Sequence, residues 1–500
     1  ESADLLTDAD QIRDIKGVCK RMLTDNGYYP DVYSGFDPIL DKPRVDRLLG
    51  DVSVPVAGVT PFNVVMAAGD RVIHNRPDFR FGISMSSSRI GKFESLNNEN
   101  TRGWYLGEGM TYIYNSTDRS QYVNYFNLVN MQRLPGTTVD VLARSVLKTS
   151  NYGLFGIPVN AQDWTGGASL NGVYGVAGMH LVSEVGSLEG RKSWFMFDNE
   201  VVALGAGISM TEERAAETVV ENRNSLKSLY VDGVLKPSTK GWSEALPNPR
   251  WISLEGTGGY YFPQPSTVNA KRDYNGFTQL YFDHGTSPEN EGYAYVLLPS
   301  STREETEAYA ARPEIEVVCN TDNIQAVRET GLRVMGINFW QAGQVDDIVC
   351  DAPAAVMVRE DRGMLYVSLA DPTWKQTSVR LSLAGSYRMT GEDGRVRLEA
   401  NGDRTDVVFD VTDRMGQCIE VSLADNDYSG LDKGRDDGPV YVWERGSATA
   451  IVRNMEPGGR VVVYDARGRL CRVATAVPDE LRMDFSGYEK GVYVIRYCRP

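Results

Sequence analysis

SMSSSRIGKFESLNNENTRGWYLGEGMTYIYN, residues 84–115, gathers Arg89, Glu94, Asn97, Asn98, Glu99, Asn100, Arg102, Trp104, Tyr105 and Glu108 into one segment. A strand facing a hydrophobic core has no use for so many amides, carboxylates and guanidinium groups, so the segment reads as a surface that grips something polar. Amides and guanidinium forks suit hydroxyls and carboxylates, and Trp and Tyr rings offer flat faces to the apolar side of a pyranose. A carbohydrate is the first ligand chemistry to consider.

On both sides of this segment the chain reads as strand after strand. GVTPFNVVMAAG, RVIHNRPDFRFGISM, KSWFMFDNEVVALGAGISM, AETVVENRNSLKSLYVDG and EGYAYVLLP are long, β-branched or aromatic, and set among Gly, Asn, Asp and Pro turns. The 49 glycines and 26 tyrosines agree with a mainly β chain. Residues 51–350 are therefore expected to form a large antiparallel sandwich, with a helical insert at Gln121–Leu134 and a short helix at Thr302–Ala310. Residues 351–425 carry shorter strands (AAVMVRE, GMLYVSLADP, SVRLSLAG, DVVFDVT, QCIEVSLA) and are expected to form a smaller sandwich. DNDYSGLDKGRDDGP is rich in charge, Gly and Asp, which makes 426–438 a linker, and 439–500 read as a third compact set of strands.

Residues 1–50 are different. LLTDADQIRDIKGVCKRMLTD places Leu5, Ile12, Ile15, Val18 and Leu23 broadly on one side of a helix, and a second helix is expected from Pro43 to Leu49. One or two helices cannot enclose a core, so this segment reads as the end of a helical region, and the start at Glu1 fits a processed or truncated product.

The length of 500 residues suggests roughly two to four domains. A net charge of −15 argues against a general nucleic-acid binder, which needs a basic face for phosphates. A polyanionic glycan needs only a local basic patch, and Arg76, Arg80, Arg89, Arg102 and Arg119 fall close together; they read equally well as a solvated sheet surface. The six cysteines and three histidines have no metal-ligand spacing, and the alternating Asp of DNDYSG lacks a calcium-loop order, so neither metal nor cofactor is expected. No run of about 20 apolar residues is present to span a membrane.

The polar segment, together with QYVNYFNLVNMQRLPGTTVD, AETVVENR at 216–223, GINFWQAG at 336–343 and the DWTGG stretch after Ala161, resembles the central β-domain of the polysaccharide lyases that act on hyaluronan, chondroitin and xanthan. The resemblance implies an N-terminal helical toroid, a large β-supersandwich and a small C-terminal β-sandwich, with only the last toroid helices in 1–50. It implies β-elimination across a uronic acid. A base removes the C5 proton, the neighbouring carboxylate is neutralised, and an acid protonates the departing O4. In that family an Asn, a His, a Tyr and supporting arginines do this from the toroid. None of these is assigned here, and His74, His180 and Tyr105 are not promoted to those roles.

The β-domain's contribution in the family is a Glu and an Asn three residues apart, matched by Glu94 and Asn97 of FESLN. Asn97 would donate to the substrate or the catalytic assembly, and Glu94 would orient a residue across the cleft. Arg89, Asn98, Arg102 and Trp104 are the candidate substrate contacts; the plain alternative is that the arginines pair with Glu94, Glu99 or Glu108 and that the amides satisfy loop backbone. A non-catalytic carbohydrate-binding module of the same fold is the alternative function. A glycosidase would need two carboxylates across a cleft, such as Glu94 with Glu99 or Glu108. Residues 439–500, through VVVYDARGRL and SGYEKGVYVIRY, resemble a type IX secretion sorting domain, which implies a Gram-negative secreted, periplasmic or surface protein.

Overall fold

The computed structural model describes residues 6–24, 37–95, 99–115, 120–147, 158–391, 393–426, 440–443, 449–453, 460–465, 470–475, 480–486 and 493–498. The chain divides into two compact units, Glu1–Asn426 and Asp427–Pro500.

The centre of the first unit is a nine-stranded antiparallel sheet running from Thr165–Leu170 through Tyr174–Val182, Glu189–Met196, Val201–Ser209 and Glu291–Pro299 to Val234–Leu235. Its strands are apolar on both faces because both are covered, which explains why KSWFMF and VVALGAG do not alternate as half-buried strands do. On one face, Met179, Trp194, Met196 and Ala203 pack against Val72, Phe81 and Ile83 of a four-stranded sheet and Leu280 and Phe282 of a five-stranded sheet. On the other, Val176, Phe195, Val202 and Leu204 meet Val327, Val334, Ala355 and Met357 of a seven-stranded sheet. The far face of that sheet, through Ile337, Phe339, Val356 and Leu369, packs on Val379, Leu381, Val407 and Phe409 of another five-stranded sheet.

Residue 350, where the sequence suggested a boundary, lies inside this stack. Val334–Phe339 pairs directly with Ala354–Asp361, so the seven-stranded sheet draws on strands from Ile315 to Asp425. The motifs that carry the resemblance tie the layers together. Trp164 of DWTGG donates its indole N–H to Phe339 O at 3.0 Å and packs on Trp340 at 4.1 Å. Asn338 of GINFWQAG donates to Ala177 O at 2.9 Å and to Ser193 Oγ at 2.8 Å. In AETVVENR, Glu221 pairs with Arg223 at 3.0 Å and accepts from Tyr260 Oη at 2.7 Å, all three side chains being buried.

The helices are Ala9–Thr24 and Lys42–Gly50 near the start and Arg303–Ala311, which begins with a Thr302/Glu305 capping box. The first packs through Gly17, where an added Cβ would lie 2.8 Å from Pro55 O. Its apolar stripe stays open, with Ile15 39%, Val18 38% and Met22 68% exposed. The helical insert expected at Gln121–Leu134 shrinks to a 3-10 turn at Ser120–Tyr122 and one α-turn at Tyr125–Leu128. Asn124 between them is left-handed (φ 57°), which ends any continuous helix, while Tyr125, Val129, Met131 and Leu134 still reach the core. The linker and the DNDYSG stretch lie almost wholly outside the described residues.

Where the nine- and seven-stranded sheets meet, Glu200, Glu314 and Glu329 bring carboxylate oxygens within 4.8 Å of one another. Burial first, then the neighbouring carboxylates, push Glu200 and Glu329 up to about 7 from 4.5, with Asp198 adding to the repulsion on Glu200. A raised carboxyl pKa favours the folded state below about 4.5 and loses that advantage as pH rises through 7. Stability is therefore expected to fall by about 1–3 kcal/mol between pH 5 and pH 8 from this cluster. Urea midpoints across that range would show it, and Glu329→Gln should flatten the profile.

Among its described residues the second unit has two three-stranded sheets, Val440–Trp443 with Thr449–Arg453 and Glu480–Asp484, and Arg460–Asp465 with Leu470–Thr475 and Tyr493–Cys498. Val452, Val461, Val463 and Met483 are buried in it.

Candidate carbohydrate-facing site

The polar segment leaves the four-stranded sheet at Phe79–Ser84 and returns to it at Met110–Asn115. Between these strands, residues 87–92 run alongside 158–162. Ser88 N–H donates to Gln162 O at 2.9 Å, Asn160 N–H to Ser87 O at 3.1 Å and Lys92 N–H to Pro158 O at 2.8 Å. The loop then opens, and its stem is closed on itself. Asn100 Nδ2 donates to Glu94 O at 2.8 Å, and Ser95 Oγ donates to Glu99 O at 3.2 Å. Gly103 leaves room for the Asn100 side chain, since a Cβ would lie 2.5 Å from Asn100 Nδ2 and displace it. Glu94, Glu99 and Asn100 are exposed. Asn97 and Asn98, between the two ends of the stem, lie outside the described residues.

Beneath the loop is a buried charge network. Lys92 Nζ pairs with Glu108 Oε1 at 2.8 Å and donates to Val182 O at 2.7 Å, both side chains being at most 2% exposed. Lys192 Nζ donates to Gly136 O and lies over the Trp194 ring at 5.6 Å. Burial pulls Lys192 down to about 7, with Glu108 opposing. Glu108 is thus an internal counter-ion and cannot act as the second carboxylate of a glycosidase.

Trp104 and Tyr105 do not face a ligand. Trp104 is 4% and Tyr105 1% exposed, inside a cluster with Phe93, Met110, Tyr125 and Phe277. Large aromatic surface gains more from this burial than polar neighbours can offset, so the indole proposed as a stacking platform is core. Tyr105 Oη donates to Asp140 Oδ1 at 3.3 Å, and burial, then Asp140 and Glu108, raise its pKa. Arg102 is exposed and its guanidinium reaches Phe126 O at 3.4 Å. Arg89 meets neither sugar-facing space nor the glutamates of its own loop. It donates to Asp163 O at 2.8 Å, Thr165 O at 3.2 Å and Pro372 O at 3.2 Å, and lies over Trp374 at 4.4 Å. The three histidines are similarly internal. His74 bonds Phe197 O at 2.8 Å, His284 bonds Thr218 Oγ1 at 2.8 Å, and burial lowers His180 to about 3.

Beside the loop stem runs a groove of about 530 Å³ over the outward face of the four-stranded sheet, lined by Glu94, Asn100, Arg71, Ile73, Tyr112 and Tyr114 among others. Alternation in MTYIYN sends Ile113 into the core and both Tyr112 and Tyr114 to this face. Sequence reasoning did not single out these tyrosines, although their i, i+2 spacing carried the signal. Arg71 is anchored by Met85 O at 2.7 Å and close enough to Tyr112 to oppose the rise that burial imposes on the phenol. Both rings also pack on Tyr122, at 6.0 and 4.7 Å, so the groove offers the remaining surface of two half-buried tyrosines together with a guanidinium, an amide and a carboxylate, hydrogen-bonding and apolar chemistry suited to a sugar chain.

The stacked sheets are a super-sandwich joined to a C-terminal β-sandwich. Residues 61–310 match the polysaccharide lyase family 8 super-sandwich domain and 316–380 that family's C-terminal beta-sandwich domain. The chain is 33% identical over 478 residues to a xanthan lyase of Bacillus sp. (strain GL1), covering 88% of this chain and 50% of that protein. It is 32% identical over 414 residues to a hyaluronate lyase of Thermasporomyces composti, covering 77% and 51%. Among solved structures, Paenibacillus xanthan lyase matches with a TM-score of 0.78 at 27% identity, over 99% of this chain and 55% of that one. Streptomyces coelicolor A3 chondroitin AC lyase in complex with chondroitin sulphate matches with 0.72 at 27%, over 85% and 57%. The chain belongs to polysaccharide lyase family 8. It spans about half the length of the curated relatives it matches.

Proposed function

We propose that the chain is the β-rich portion of an exported polysaccharide lyase that cleaves a uronate-containing glycan by β-elimination, with the loop at Glu94–Asn100 as one wall of the cleft. The observation that carries this reading is the open groove beside Glu94 and Asn100, floored by Tyr112 and Tyr114. Asn97 donates a hydrogen bond to substrate or to the catalytic assembly, Glu94 orients a group reaching across from a helical toroid, and Asn98 and Arg102 contact the acidic polysaccharide. The groups that remove the C5 proton and protonate O4 belong to that toroid. The burial of His74 and His284, each hydrogen-bonded inside the sheets, and the exposed apolar stripe of the Ala9–Thr24 helix, which suits packing against further helices, support this division. Export in a Gram-negative cell, aided by the second unit, completes the proposal. No helix among the described residues is long and apolar enough to cross a membrane.

Elimination creates a C4–C5 double bond conjugated with the uronate carboxyl, so turnover is read as ultraviolet absorbance. The chain joined to its toroid is expected to release absorbing products from hyaluronan, chondroitin or xanthan, and the chain alone is expected to bind these glycans without turning them over. Full turnover by the isolated chain would overturn the assignment of acid and base to the toroid.

A further inference from the structure

Arg89 lies just before the loop stem and is held from several directions at once. Besides the carbonyls of Asp163, Thr165 and Pro372, it faces the buried Asp70 carboxylate at 3.9 Å and the ring of Trp374 at 4.4 Å. Pro372 and Trp374 come from the C-terminal sandwich, in the turn after Met364–Ala370. That turn is braced internally, since Asp371 accepts from Thr373 N–H at 2.9 Å, Thr373 Oγ1 at 2.6 Å and Gln376 N–H at 2.9 Å. Lys375 and Ser88 both bind the Asp163 carboxylate, one from each side of the junction.

Two features mark Trp374 as placed for its ring. Its backbone is left-handed (φ 61°), a conformation a bulky L-residue adopts only when its surroundings impose it. Gly416, also of the C-terminal sandwich, leaves the space behind the indole, where a Cβ would come 2.4 Å from Nε1. A planar guanidinium stacked on an indole while donating to Thr165 O of the nine-stranded sheet and to Pro372 O of the turn after Met364–Ala370 is a rigid joint, and lysine cannot reproduce it.

We propose that the C-terminal β-sandwich positions the cleft wall, with Trp374 and Arg89 acting as a clamp that fixes the stem of the loop bearing Glu94. Arg89 and Trp374 are positioning residues in this proposal, which rests on the function proposed above for that loop. Displacement at Arg89 passes to Glu94 along the 87–92 segment, whose backbone is pinned to 158–162 and so shifts as a unit.

Hydrogen exchange on the full chain tests the clamp directly, with affinity for hyaluronan, chondroitin and xanthan oligosaccharides as the second readout. Arg89→Lys and Trp374→Gly are expected to raise exchange at residues 90–95 and 99–108 by about tenfold or more, while exchange in the nine-stranded sheet stays at the parent level. Trp374→Gly relieves the left-handed backbone, so a faster loop in that variant reports the lost ring and not added strain. Trp374→Phe, which keeps a ring face, is expected to return the loop to within about threefold of the parent. The dissociation constant for the glycan should rise about five- to thirtyfold in the first two variants and recover in the third. Unchanged loop exchange in both Arg89→Lys and Trp374→Gly overturns the clamp. So does an even rise over all sheets that Trp374→Phe does not reverse. If the parent chain binds none of these glycans, the proposed function fails while the exchange result still decides the clamp.

Discussion

Glu94→Ala and Asn97→Ala in the toroid-joined protein are each expected to lower turnover about a hundred- to a thousandfold, the range for losing one preorganised polar group at a reacting centre. Glu94 is exposed, and its backbone carbonyl, not its side chain, receives Asn100. The substitution should therefore leave the thermal midpoint unchanged, and the loss should appear in kcat more than in KM. Ultraviolet progress curves on hyaluronan, chondroitin and xanthan measure it. Unchanged turnover with weakened binding would instead assign the chain to a glycan-binding module, the alternative the sequence left open.

The largest stability effect is expected below the loop. Lys92→Met removes the partner of Glu108 and leaves a carboxylate that is 1% exposed without its counter-ion. Stranding one member of a buried pair costs about 3–5 kcal/mol. Lys92→Met combined with Glu108→Gln should recover part of that, because the double variant removes both members of the pair and leaves Lys192, which burial already pulls toward its neutral form, beneath the loop. Urea midpoints for the two single variants and the double variant separate these outcomes. A Lys92→Met midpoint equal to the parent would mean that the loop is not supported from beneath. The single variant should also lose glycan affinity, since Lys92 and Phe93 form the base from which Glu94 projects.

Much of the architecture was legible in the sequence because periodicity and turn chemistry are local. The Ala9–Thr24 helix, the capped helix after Thr302, the long strands on either side of residue 200 and the shorter ones after Ala354 all follow from patterns within a dozen residues. The helical insert at Gln121–Leu134 failed for a tertiary reason. Tyr122, Tyr125 and Val129 have the i, i+3, i+7 spacing of a helix face, but their burial is achieved by turns bent at Asn124. The extent of the seven-stranded sheet was equally out of reach, since the pairing of Val334–Phe339 with Ala354–Asp361 spans a connection that itself contains two short strands of another sheet.

The site shows the same division. Glu94 and Arg102 were selected as polar residues in a loop and are exposed in one, whereas Arg89, Trp104 and Glu108 came from the same stretch and turn inward. Polarity marks a residue that needs a partner, but it does not say whether that partner is a ligand, a lysine behind the strand or a carbonyl from a distant sheet.

By itself the sequence determined that this is a β-rich chain with a polar loop of the family 8 kind, because strand alternation, turn residues and the FESLNNEN run are properties of neighbouring residues. The tertiary structure alone decided which polar groups remain open. Lys92 and Lys192 meet Glu108, and Trp374 meets Arg89, only after the sheets have stacked. Burial and charge pairing depend on contacts between segments far apart in the chain, and no local pattern encodes which of those contacts will form.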